Sequence, residues 1–164
     1  MFVQANAFGG EGESRFCCVR YGNVLGTRGS VIPIFLEQSK RGKITLTDRR
    51  MTRFCITLDA AVRFAILCIE QMQGGEIFIL KTSSFCLADL AESIGRNCQI
   101  DYVGMRPGEK VHEVLVSEDE SRNALELENM YVIQPVHPWW KKDNWMQGRA
   151  LPEGFRYASD LSAD

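Results

Sequence analysis

Arg20-Tyr21-Gly22-Asn23-Val24-Leu25-Gly26-Thr27-Arg28-Gly29-Ser30-Val31-Ile32-Pro33-Ile34-Phe35 is the stretch that decides the fold class. An apolar run, Phe16 to Val19, feeds this polar, glycine-rich turn. A helix is predicted to begin there, with Ser30 as its cap and Pro33 in its first turn. Strand, turn and helix start in that order set backbone N–H groups and the positive end of a helix dipole beside a strand end. An anion such as a phosphate is stabilised in such a place.

Working outward, residues 1–8 read as the end of a helix and Gly9 to Ser14 as a surface loop. Phe16 to Tyr21 is apolar on both faces, the pattern of an internal strand in a parallel sheet. The helix from Val31 runs to Lys40 and closes at Gly42. Ile44 to Thr47 alternates as a short strand, and Asp48 to Phe54 reads as a polar, arginine-rich connection. Thr57 is the expected cap of a helix from Leu58 to Gln73, apolar around most of its circumference and ended by Gly74-Gly75. A strand (Glu76 to Leu80), an amphipathic helix (Leu87 to Arg96), a strand (Ile100 to Val103) and a turn (Gly104 to Glu109) follow. Lys110 to Val116 reads as a short helix and Tyr131 to Ile133 as a late strand. Strands alternating with helices indicate an α/β fold.

The bulk properties narrow the function. The 164 residues fit one domain, with 45% hydrophobic and 24% charged residues. A formal net charge of −2 with scattered Arg and Lys argues against nucleic acid as a partner, which calls for a concentrated basic patch. The longest apolar stretch, Ala60 to Ile69, is broken by Arg63 and is too short for a membrane span. The N-terminus has no basic segment followed by a long apolar one, so the cytoplasm is the expected location. Six cysteines form no C-x-x-C pair, and the two histidines, His112 and His137, lie far from them in sequence. That pattern excludes a zinc site of ordinary spacing and reads as buried, reduced thiols.

Four blocks, in order, carry a resemblance: Arg20 to Phe35, Thr47 to Phe54, Gly74 to Phe78, and Met105 to Glu113. Leu151 to Tyr157 extends it. With them, residues 16–140 resemble the C-terminal half of a bacterial nucleotide-sugar dehydratase of the extended short-chain dehydrogenase/reductase superfamily. The nearest likeness is to UDP-N-acetylglucosamine 4,6-dehydratases and related capsular polysaccharide biosynthesis enzymes. The resemblance implies a partial NAD(P)-binding Rossmann-like fold, mostly the substrate-binding lobe with residual parallel strands. Residues 1–30 are then the residual Rossmann strand and turn, 31–147 the nucleotide-sugar lobe, and 148–164 a tail.

It also implies lyase chemistry for the family, in surface-glycan biosynthesis. A bound NADP oxidises C4 of the sugar, the C5 proton becomes acidic, the C6 hydroxyl leaves, and hydride returns at C6. The machinery for this, a glycine-rich loop and a Tyr-x-x-x-Lys pair, belongs to the family's N-terminal half. None of Tyr21, Tyr102, Tyr131 or Tyr157 has a lysine four residues on. The chain alone is therefore expected to bind a UDP-sugar without catalysis and without NADP. Its expected partner is a complementing N-terminal half or a second copy, and the alternative is a stand-alone sugar-nucleotide-binding or oligomerisation module.

The resemblance assigns substrate contact to Asn23, whose amide at a strand end can both donate and accept. It sets Thr27 near the cofactor, and Val31, Ile32, Pro33, Ile34 and Phe35 along the nucleotide. Arg53 matches a diphosphate-binding arginine, a role suited to a guanidinium fork. Thr47 is read either as a contact to the uracil or as a plain strand threonine. Arg106 and Glu109 share the turn Arg-Pro-Gly-Glu. They aim at phosphate and ribose hydroxyls respectively, or pair with each other. His112 reads as a surface histidine. Trp139, Trp140 and Trp145 read as apolar packing.

Overall fold

The computed structural model describes residues 2–7, 14–136 and 145–161. In chain order these form α1 (Phe2–Ala5), β1 (Cys18–Arg20), β2 (Asn23–Val24), α2 (Val31–Ser39), β3 (Lys43–Leu46), β4 (Thr52–Ile56) and α3 (Leu58–Gln71). There follow β5 (Ile77–Leu80), β6 (Ser84–Cys86), α4 (Leu87–Ile94), β7 (Gln99–Tyr102), β8 (Val114–Val116), α5 (Glu118–Ser121), β9 (Ala124–Glu126), β10 (Met130–Ile133), β11 (Arg149–Ala150) and β12 (Tyr157–Ala158). The loop expected at 9–14 falls largely outside the described residues, as do His137, Trp139 and Trp140.

The chain divides into two compact units, each assembled from separated segments. The first takes Met1–Tyr21, Asp59–Lys81 and Leu115–Tyr157; the second takes Gly22–Leu58, Thr82–Val114 and Ala158–Asp164. These limits do not coincide with the boundaries expected after residues 30 and 147.

In the first unit, a five-stranded sheet runs in the order β1-β5-β10-β9-β11. β1 lies parallel to β5, with Val19 opposite Phe78, and the remaining pairs are antiparallel. β1 stands at the end of this order, not inside it, so its internal character in sequence is matched on one side only among the described residues. Phe64 and Cys68 of α3 pack with Phe78, Met130, Val132 and Trp145, and the Trp145 and Phe78 rings meet edge-on at 5.5 Å. Trp145 is therefore the packing residue that was expected. Burial above all pushes the Cys68 thiol up to about 12, which fits an inert core thiol. The other side of α3 is different: Val62, Ile66 and Ile69 are half or more exposed.

The Gly-Gly-Glu block is held by a buried carboxylate. Glu76 is fully buried, and its carboxylate accepts the N–H of Gln73 at 2.6 Å, that of Gly74 at 2.8 Å and the Trp145 indole N–H at 3.4 Å. It thus satisfies the donors of the bend between α3 and β5, which would otherwise be orphaned without water.

The second unit is built around β2-β4-β6 and the parallel pair β3-β7. Phe35 of α2, Ile44 and Leu46 of β3, Met51, and Leu87, Ala88 and Ala91 of α4 form its core. Two expectations are corrected in this unit. The connection expected at 48–54 contains β4, in which Thr52, Phe54 and Ile56 alternate inward. The helix expected at Lys110 to Val116 is absent, and the chain there ends in strand β8. The carbonyls of Lys110 and Val111 accept from Arg53 instead of from a helical turn. Gly22 lets β2 approach β4: a Cβ at Gly22 would sit 2.4 Å from the Cβ of Phe54 and 2.5 Å from its carbonyl carbon.

Candidate functional site

β2 pairs in parallel with β4, setting Asn23 opposite Cys55. Arg53 stands two residues earlier on β4, the spacing that returns a side chain to the same strand face. Past β2 the chain turns tightly: Leu25 N–H donates to the Ile56 carbonyl, Thr27 Oγ1 to the Val24 carbonyl, and Ser30 N–H to the Thr27 carbonyl. That turn delivers the N-terminus of α2 to the end of β2.

The result is a small cavity of about 100 Å³, lined by Asn23, Val24, Leu25, Ser30, Val31, Ile32, Arg53, Phe85 and Leu87. Its donors come from four sources. The first N–H groups of a helix have no partner within it. Val31 and Ile32, the first two helical residues, line the cavity, whereas Pro33 has no N–H and Ile34 N–H already donates to the Ser30 carbonyl. Ser30 occupies the cap position in extended conformation, yet its side chain makes no capping bond. Its Oγ is buried without a hydrogen-bond partner among the described residues. Asn23 and Arg53 complete the set. Four kinds of donor at the positive end of a helix dipole make a site for an anion. The volume is well below the roughly 300 Å³ at which pockets for whole small molecules begin. A single phosphate-sized group is what it can enclose.

Arg53 is already engaged. Nη1 donates to the carbonyls of Thr52 at 2.7 Å and Val111 at 2.9 Å, Nη2 donates to Lys110 at 2.9 Å, and Nε lies 3.6 Å from Glu113 Oε1. The guanidinium therefore anchors the segment 110–113 while lining the cavity. The sequence reading saw the charge of this residue and missed its structural task.

The remaining predicted residues separate into groups. Thr47, Arg106 and Glu109 are brought to one end of the β3-β7 pair, where Gly104 N–H donates to the Thr47 carbonyl at 3.1 Å. They do not line the cavity. Arg106 and Glu109 sit on a tight turn in which Glu109 N–H donates to the Arg106 carbonyl. Gly108 there has φ +85°, the left-handed value that the third position of a type II turn requires. Glu109 does not pair with the guanidinium among the described residues: its Oε2 accepts the backbone N–H of Arg106 at 3.0 Å. Pro33 is half-buried and Ile34 is exposed, and neither lines the cavity. Phe35 is a core residue, 3% exposed, and does not line the cavity. Thr27 is exposed and its hydroxyl proton is committed to its own turn.

His112 departs from the surface reading: it is half-buried and its Nδ1 lies 2.8 Å from Thr52 Oγ1. Arg20, though part of the same sequence block as Asn23, belongs to the first unit. There it pairs with Glu120 at 2.7 Å and donates to the Leu115 carbonyl. Sequence reasoning also missed Ser30 as a donor, because a serine before a helix is ordinarily its cap, and it missed Phe85 and Leu87 as the apolar wall. No group of metal-ligating side chains occurs among the described residues. No helix among them is long and apolar enough to cross a membrane.

Comparison with known proteins adds the following. The sequence model of a family described as "Polysaccharide biosynthesis protein" matches residues 1–135. A UDP-N-acetylglucosamine 4,6-dehydratase (inverting) of Campylobacter jejuni is 41% identical over 98% of this chain, which covers 51% of that enzyme. The X-ray structure of Pen from Bacillus thuringiensis matches with a TM-score of 0.85 and 38% identity, over 99% of this chain and 51% of that one. UDP-glucose 4-epimerase of Thermotoga maritima, crystallised with UDP-glucose, shares the fold at a TM-score of 0.51 and 23% identity, over 63% of this chain and 38% of its own. The chain spans about half the length of the curated relatives it matches.

Proposed function

We propose, from the premise that the chain belongs to the polysaccharide biosynthesis protein family, that its second unit holds one phosphate of the diphosphate of a nucleotide sugar, of the UDP-N-acetylglucosamine class. In this reading the chain is the substrate-binding portion of a 4,6-dehydratase. The observation that carries it is the cavity lined by Asn23, Ser30, Val31, Ile32 and Arg53, with the Ser30 hydroxyl buried and without a partner among the described residues. Phosphate oxygens satisfy the Ser30, Val31, Ile32 and Asn23 donors at once, and the Arg53 guanidinium, whose Nη groups serve the Thr52, Lys110 and Val111 carbonyls, contributes its positive charge. Thr47, Arg106 and Glu109 then serve the nucleoside end, with the Arg106 guanidinium toward phosphate and the second carboxylate oxygen of Glu109 toward a ribose hydroxyl.

NADP supplies the oxidation and reduction of the sugar when bound to an enzyme of this kind. Thr27 is the one contact assigned to it, and its hydroxyl proton serves the Val24 carbonyl. This chain's part is to bind and orient the nucleotide sugar. Calorimetric titration of the purified chain with UDP and with UDP-N-acetylglucosamine tests the reading. Saturable binding, weakened by Arg53→Ala, is expected; no heat at millimolar ligand refutes it.

A second reading, association with another copy, is favoured by the outward Val62, Ile66 and Ile69 of α3, an apolar stripe on a helix already packed on its opposite face. Light scattering after size exclusion decides it, and a monomer at high concentration rejects it.

A further inference from the structure

We infer that Ser159 is a positioning residue for the anion site, acting through Arg53; the inference rests on the nucleotide-sugar reading above. Ser159 is fully buried and uses every polar group it has. Its N–H donates to the Glu113 carbonyl at 2.9 Å, and its Oγ accepts the Glu113 N–H at 2.9 Å. The same Oγ shares a hydrogen with Thr52 Oγ1 at 2.7 Å and lies 3.2 Å from the Thr52 carbonyl. Its own carbonyl accepts from Ser84 Oγ at 2.7 Å.

Ser159 thus ties three segments of the second unit together: β4 at Thr52, β6 at Ser84, and the loop at Glu113. The loop is the part that matters for the ligand. Residues 110–113 are gripped from one side by Arg53, through the carbonyls of Lys110 and Val111, and by Thr52 N–H, which donates to Val111 at 3.1 Å. They are gripped from the other side by Ser159 at Glu113. The Glu113 carboxylate, whose backbone Ser159 fixes, faces Arg53 Nε at 3.6 Å. With the Ser159 hydroxyl removed, Glu113 N–H loses its acceptor, the loop loosens, and the guanidinium loses the fixed carbonyls that aim it at the cavity. Thr52 and Ser159 are 107 residues apart, so no local pattern in the sequence displays the link.

The test is a double-mutant cycle on the full chain, with UDP affinity by calorimetry for the unmodified protein, Ser159→Ala, Arg53→Lys and the double variant. Hydrogen exchange is followed in parallel over residues 104–113 and 58–71. Expected is about a tenfold weaker UDP affinity in S159A, the scale of one lost well-formed hydrogen bond. Exchange should rise at 104–113 and stay unchanged at 58–71. On the R53K background, S159A should add little, because a lysine cannot hold both carbonyls for Ser159 to support; a purely structural serine would add its full effect there. S159A binding UDP as the unmodified chain does, or unaltered exchange at 104–113, overturns this inference alone. Failure of the unmodified chain to bind UDP overturns the nucleotide reading and this inference with it. Should S159A fail to fold, Thr52→Val, which removes the hydroxyl that Ser159 Oγ meets, takes its place in the same comparison.

Discussion

Arg53 Nη1 lies 2.9 Å from the carbonyl oxygen of Val111, fifty-eight residues further along the chain. A residue that reads as a ligand contact is therefore also a brace. Arg53→Ala should cost about 2 kcal/mol of stability, because the Lys110 and Val111 carbonyls lose a charged donor, and it should weaken UDP binding as well. Arg53→Lys should recover part of the affinity and less of the stability, since an ammonium cannot reproduce the fork. Urea unfolding and calorimetry separate the two effects. Equal stability of all three proteins would contradict the bracing role.

Ser30 supplies the opposite case. Its hydroxyl is buried and makes no bond within the described protein, so Ser30→Ala should leave the melting temperature within about 2 °C of the parent. UDP affinity should fall several-fold. A large loss of stability without loss of affinity would show that the hydroxyl serves the fold.

Glu76 is a buried carboxylate with three donors aimed at it. Glu76→Ala leaves the Gln73 and Gly74 N–H groups and the Trp145 indole N–H without their acceptor and should cost about 3 kcal/mol. Glu76→Gln keeps one acceptor and should cost less. Both are read from denaturant midpoints, and an E76A protein as stable as the parent would remove the account of the Gly-Gly-Glu block.

The Asp48 carboxyl is held down to about 2, first by its side-chain bond to Arg50 and then by the Arg50 backbone N–H. A carboxyl lowered by folding from its usual value of about 3.9 contributes stability that is fully present above that value. The contribution is lost as pH falls from about 4 through about 2. A carboxyl-carbon NMR titration should find the Asp48 midpoint near 2 in the parent and clearly higher in Arg50→Ala, which removes the side-chain bond and keeps the backbone one. A midpoint near the ordinary value in the parent would mean that the Asp48 to Arg50 turn is not formed in solution.

How much was legible depended on whether a segment's pattern was decided by neighbours in sequence or in space. α2, α4, β5 and β10 follow from apolar periodicity and appear where expected within a residue or two. β4 was hidden because Arg53 and its charged neighbours mask the alternation of Thr52, Phe54 and Ile56. The segment at 110–113 was misread as helix because its carbonyls are claimed by a side chain from a distant strand. At the site, the resemblance leads to an expected convergence of Asn23, Arg53 and Arg106; Asn23 and Arg53 line one cavity, and Arg106 does not. The roles of Ser30 and Ser159 were not anticipated, since one depends on a bond that is absent and the other on contacts across most of the chain.

The Arg106 to Glu109 turn carries its own scaffold. Proline fixes one torsion, Gly108 takes up the left-handed one, and the Glu109 side chain closes the ring on the Arg106 N–H. An anion that reaches Arg106 meets a backbone that has already surrendered its freedom, so docking there has little main-chain entropy left to lose. What remains to be ordered is one long side chain, on the order of 2 kcal/mol at most.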